Sequence, residues 1–242
     1  MLAFFYIDPY FWVTIPGALI AIWAQMRLSS AISKYSQIRN VRGMTGGEVA
    51  RMILDRNGMA NVEIYPVEGS LSDHYDPSRR AVFLSDAVRS EPSVAAVGVA
   101  AHEVGHAIQH KSSYAPLGMR MAMVGITGFA SSAAWIAIAA GMLLGSLGHA
   151  GGLGRTLVLV GVILFSVVVL FQVVTLPVEY DASARAKREL QRLGLVAPDE
   201  AEGVELVLNA AALTYVAGMV TAILELVHLL LILRGSRRDD DR

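Results

Sequence analysis

Two stretches without acidic or basic side chains constrain this chain more than any other feature. Residues 121–153 carry no Asp, Glu, Lys or Arg, His149 being their one titratable side chain, and residues 156–178 carry none at all. Each run exceeds the roughly 20 apolar residues that cross a bilayer. The hydrophobic share of 54% and mean hydropathy of +0.49 are high for a soluble domain. An integral membrane protein with a polar portion is therefore expected, with the lipid bilayer as its first partner.

The opening MLAFFYIDPYFWVTIPGALIAIWAQMR has the hydropathy of a secretion signal. It lacks the basic leading segment and the small-x-small cleavage site of one, so residues 1–26 read as a retained transmembrane anchor. A further apolar segment near 204–233 brings the count to about four spans. Residues 27–120 are mixed in character and long enough for a small module. There Thr45 and Glu48 match a capping box, Gly58 suits a helix C-terminus, and Val49, Met52 and Ile53 make an apolar helical stripe. NVEIYPV and RAVFLS are β-prone runs joined by the polar loop EGSLSDHYDPSR, and predict a short two-stranded hairpin or edge. VAAVGVAAHEVGHAIQHK predicts a helix buried in protein rather than a span.

The expected organisation is thus an anchor over 1–26, a module over 27–120, a transmembrane helical hairpin over 121–177, a helix over 178–203, and a C-terminal transmembrane helix with a charged tail over 204–242. The fold class is mainly α-helical and polytopic, with a small α+β module. Eleven Lys and Arg lie in 27–120 and four in 178–203, against Arg155 alone between the second and third spans. The positive-inside rule then places the module in the cytoplasm and the N-terminus outside. Arg234, Arg237, Arg238 and Arg242 vote the other way, because four spans put the C-terminal tail outside.

The chain has no cysteine, which excludes disulfides, thiolate zinc sites and thiol nucleophiles. Its net charge of −1 offers no attraction for nucleic acid. Any metal must be held by His, Asp or Glu. HEVGH matches H-E-x-x-H: on a helix, His102 and His106 share a face about 6 Å apart along the axis, with Glu103 beside them as a general base. Burying His, Glu and His in a charge-poor helix without a metal would be costly.

A catalytic zinc takes three protein ligands and keeps one position open. His110 continues the four-residue spacing but lies about 12 Å from His102 along a continuous helix. Ala107, Ile108 and Gln109 are helix-compatible and supply no break, so His110 reads as a helix-end side chain. Two spans separate His106 from Val178, so VEYDASARAKREL returns to the face of HEVGH. Glu179 is the first ionisable residue after the uncharged run, and Ala182, Ser183, Ala184 and Ala186 allow close helix packing. Residue physics leaves two readings even: a third zinc ligand, or a carboxylate at a membrane interface.

AAHEVGHAIQH, LFQVVTLPVEYDASARA, VLNAAALTYVA, TGGEVARMILDRNG and LSDHYDP together resemble the YugP-like neutral zinc metallopeptidases, a family of bacterial membrane proteins, over nearly the whole chain. The resemblance implies a zincin-like, gluzincin-type site with one Zn2+ per chain on His102, His106 and Glu179, and Glu103 catalytic. It further implies a multi-pass protein of the bacterial inner membrane that hydrolyses peptide bonds of a peptide or protein substrate, as an endopeptidase rather than an exopeptidase. The more distant HtpX-like and CAAX-processing peptidases place an Asp four residues after the ligand Glu. Ser183 stands there in this chain, leaving Asp181 and Ser183 as candidates to orient a ligand histidine. Tyr215, Asn209, His74 and Arg185 are candidates for oxyanion or substrate contacts, each with a structural alternative. The strands of 61–84 offer an edge to an extended peptide. Glu225 and His228 sit one turn apart in the last apolar segment, as an ion pair or as the centre of an ion or solute carrier. A catalytically silent scaffold that keeps the metal site is the other alternative to an enzyme. Gly141 and Gly145 form a GxxxG pattern that could serve helix packing or self-association.

Overall fold

A computed structural model describes residues 10–146 and 152–240. The His149 turn, most of the glycine-rich link between the second and third spans, and the first residues of the anchor lie outside the described residues. Helix α1 spans Ile15–Ser36 and α2 spans Gly46–Arg56. Strands β1 (Glu63–Val67), β2 (His74–Asp76) and β3 (Ala81–Ser85) follow, then the short α3 (Asp86–Arg89), α4 (Val94–Lys111), α5 (Ala115–Ser146), α6 (Leu153–Arg192) and α7 (Pro198–Asp240). Four of these helices are long and apolar enough to cross a membrane, over Phe11–Ser36, Ala115–Gly145, Leu153–Arg192 and Pro198–Gly235. The protein is mainly helical and of the membrane type, with a small α+β portion.

The chain forms two compact units. One comprises Met1–Trp23, Arg120–Val174 and Val216–Arg242, the other Ala24–Met119 and Thr175–Tyr215. In the first, Ala134 and Ile138 of α5 pack on Val158, Val162 and Phe165 of α6 and on Leu229 of α7. Gly141 is needed for this approach, because a Cβ there would lie 2.5 Å from the carbonyl oxygen of Gly154. One glycine of the GxxxG pattern thus serves packing within the chain.

The second unit is built around α4. Ser93 caps its N-terminus by accepting from the Ala96 N–H at 3.1 Å. Small residues on every face let α4 be buried all round rather than on one stripe, with Val97, Ala100 and Val104 fully enclosed. Around it lie Val49, Ile53 and Leu54 of α2, Val82 and Leu84 of β3, Ala186 and Leu190 of α6, and Val204 and Leu208 of α7. The capping box forms as the sequence predicts: Thr45 accepts from Glu48 N–H at 3.2 Å, and Glu48 accepts from Thr45 N–H at 2.8 Å. Gly58 follows the helix in the left-handed region, with φ +64°.

The sheet differs from the expected two-stranded hairpin. β1 and β3 pair in parallel, with Glu63 opposite Ala81 and Val67 opposite Ser85. The loop read as irregular supplies β2, which pairs antiparallel with β3 and gives the order β1-β3-β2. A hairpin is present, but it joins β2 to β3. The Asp76 carboxylate makes the turn by accepting from the Ser78 N–H at 2.8 Å and the Arg79 N–H at 3.2 Å. Helix α6 runs through Pro177 without interruption, forgoing the hydrogen bond that the missing N–H would have made. Its end falls at Gly194 (φ +58°), where the Leu195 N–H donates back to the Leu190 carbonyl at 2.8 Å.

Candidate metal centre

Four residues per step on α4 put His102 and His106 on one face, ring centroids 4.8 Å apart and nearly perpendicular at 84°. The next element to reach them is α6. Its approach is governed by Gly105, where a Cβ would stand 2.4 Å from the Ala182 carbonyl oxygen. Glycine on one helix and alanine on the other let the backbones touch, and Glu179, one turn earlier on α6, then reaches the imidazoles. Its Oε2 lies 3.2 Å from His102 Nε2 and 3.6 Å from His106 Nε2. One ligand atom from each of the three residues lies within 4.8 Å of the others.

This donor set fits a zinc ion. Two imidazole nitrogens and one carboxylate oxygen, without thiolate, match the three-ligand sets of zinc sites that keep an open position. Burial supports the fit, since Glu179 is 1% exposed and an ionised carboxylate so enclosed requires cationic partners. Glu103 points into the same buried region at 8% exposure. Burial pushes its carboxyl up to about 7; His102 opposes that shift, Glu179 and Asp73 add to it, and His74 opposes it.

A further layer holds the imidazoles from behind. Ser183 Oγ is 3.1 Å from His102 Nδ1. Gln109 Oε1 is 3.0 Å from His106 Nδ1, while its Nε2 donates to the Val178 carbonyl at 2.7 Å and to Asp181 Oδ2 at 2.9 Å. Arg185 donates to Asp181 Oδ2 at 2.5 Å and lies 5.6 Å from the centre of the Tyr114 ring. Of the two residues singled out from sequence, Ser183 touches His102 directly, and Asp181 touches Gln109 rather than a histidine. Gln109 was missed, having been weighed only for helix compatibility. A signal existed: Gln109 lies three residues beyond His106, on the same helical face.

The remaining candidates disperse. His110 bonds Tyr75 through Nδ1 at 2.8 Å and stands outside the ligand group, as the helix rise predicts. Arg185 is committed to Asp181 and Tyr114. His74 is exposed, stacks on Phe83 at 4.7 Å and reaches Glu103 only through its charge. Asn209 is exposed on α7 near Glu205, and Tyr215 is half-buried on the same helix. Glu225 Oε1 and His228 Nδ1 pair at 3.2 Å in the first unit.

Long apolar helices, and a His-His-Glu cluster in which α6 adds a carboxylate to the two histidines of an H-E-x-x-H helix, define a helical membrane protein of metallopeptidase type. The chain belongs to the family described as "Putative neutral zinc metallopeptidase", whose model matches residues 10–234. It is 43% identical over 231 residues to "Putative membrane protease YugP" of Bacillus subtilis (strain 168), covering 96% of this chain and 99% of that one. No solved structure matches the chain.

Proposed function

We propose that this chain is a membrane-embedded zinc endopeptidase, with His102, His106 and Glu179 holding one zinc and Glu103 as general base. The observation that carries the reading is the buried Glu179 carboxylate lying against both histidines of the motif. Zinc bound there supplies a Lewis acid that polarises the scissile carbonyl and acidifies a water molecule. Glu103 takes the proton from the attacking water and delivers it to the departing amine. A carboxyl that burial pushes up to about 7 is matched to a proton it must both accept and release near neutral pH. Ser183 and Gln109 meet the Nδ1 atoms of His102 and His106, so that Nε2 of each ring is turned to Glu179.

The peptide or protein substrate meets the module from the cytoplasmic side of a bacterial inner membrane, the orientation that the Lys and Arg distribution supports. A scaffold would have no use for a buried Glu103. A carrier built on Glu225 and His228 gains nothing from two groups that pair with each other.

The test is cleavage of a quenched fluorescent peptide library by purified protein in detergent, with Glu103→Gln alongside. Wild-type protein should cleave internal bonds, and Glu103→Gln should retain zinc while losing about 10²–10⁴-fold in rate. Wild-type rates from Glu103→Gln would exclude the mechanism. Release of terminal residues alone would replace the endopeptidase by an exopeptidase.

A further inference from the structure

We infer that Gln109 is a positioning residue that fixes both the tautomer of His106 and the register of Glu179, an inference that rests on the metal centre proposed above. Gln109 is wholly buried at 0% exposure, so every polar atom of its amide needs a partner. Two acceptors, the Val178 carbonyl at 2.7 Å and Asp181 Oδ2 at 2.9 Å, face one end of that amide. Only an NH2 group satisfies both, since the reversed amide would set its oxygen against a carbonyl and a carboxylate. The orientation of Gln109 is therefore determined, and Oε1 is the atom 3.0 Å from His106 Nδ1.

An amide oxygen can only accept, so His106 Nδ1 carries the hydrogen. The lone pair is left on Nε2, the atom that faces Glu179 Oε2 at 3.6 Å. The same side chain grips the backbone of Val178, the residue before Glu179. One amide on α4 thus sets which nitrogen of His106 is free and holds the start of the α6 turn that carries the carboxylate. Arg185, donating to Asp181 at 2.5 Å, holds that carboxylate turned toward Gln109. The chain Arg185–Asp181–Gln109–His106 ends at a ligand atom, and Ser183 behind His102 is its shorter counterpart.

The experiment is zinc affinity of the metal-free, full-length protein in detergent, read by competition with a chromophoric chelator, with thermal unfolding of the same samples. Gln109→Leu removes the acceptor and both donors. Gln109→Glu combined with Asp181→Asn exchanges acid and amide: as a carboxylic acid the new side chain accepts from His106 Nδ1 through one oxygen and donates to the Val178 carbonyl through the other, beside an amide that donates to it. Gln109→Leu should lose about 10–100-fold in zinc affinity, the range typical of partners behind metal ligands. The exchanged pair should return to within about threefold of wild type. Affinity unchanged in Gln109→Leu would overturn the inference. So would an exchanged pair that unfolds like wild type yet binds zinc as weakly as Gln109→Leu, because packing alone would then explain the loss. If Gln109→Leu does not fold, the exchanged pair decides by itself. Wild-type protein that binds no zinc would instead remove the metal centre on which the inference rests.

Discussion

Glu179 carries a charge into a place where water cannot solvate it. His102 and His106 lie against it, and a divalent cation shared by all three would offset more of that cost. Glu103, a residue away from His102, shows the opposite balance: burial dominates and pushes its carboxyl up to about 7. A folded carboxyl raised above its unfolded value holds a proton that the unfolded chain has released. In metal-free protein this group therefore contributes stability at acid pH that is lost as pH rises from the unfolded carboxyl range through about 7. Glu103→Gln, which cannot ionise, should stabilise the metal-free protein at pH 8 and have little effect at pH 5, as measured by thermal unfolding in each buffer. Equal effects at the two pH values would mean that burial does not govern this group. At this scale the pairing of His102 with His106 was legible in the sequence, because H-E-x-x-H is spaced by the helix itself, whereas Glu179 stood even with a carboxylate at a membrane interface. Gln109 was not legible, since the partners that orient it come from another helix.

At the level of elements, the contact of α4 with α6 decides whether a site exists. Gly105 and Ala182 meet through backbone, and a side chain at 105 cannot be accommodated by rotating anything away. Gly105→Val should force the helices apart, cost about 1–3 kcal/mol as overpacking does, and weaken zinc binding by moving Glu179 off the histidines. Calorimetric unfolding and chelator competition check the two effects, and a variant with native zinc affinity would show that α6 is not placed by this contact. The capping box at Thr45 and Glu48 was readable because its rule is local, needing residues three apart. The parallel pairing of β1 with β3 was not. It depends on β2, three residues inside a polar loop whose pattern is that of a turn, and on a core formed by distant helices.

For the molecule as a whole, charge-free length dictated the spans, and the structure supplies four helices able to cross a bilayer. Hydropathy could not foresee that α6 would continue through to Arg192, taking Glu179 with it, because the segment changes from apolar to charged while remaining helical. The proposed cytoplasmic orientation of the module rests on its basic residues. The chain has no cysteine, so one introduced at the exposed Glu68 reports sidedness without background. Glu68→Cys should resist a membrane-impermeant maleimide in intact cells and react once the membrane is opened. Labelling in intact cells would place the module outside.

The central claim is that a carboxylate beyond two spans completes the site that H-E-x-x-H begins. The most direct measurement is the zinc content of purified full-length wild type and Glu179→Ala after equilibration with limiting zinc. One zinc per wild-type chain is predicted, with an affinity loss in Glu179→Ala beyond the ~100-fold upper end seen for partners behind the ligands. A Glu179→Ala protein that retains one zinc at wild-type affinity would contradict the account.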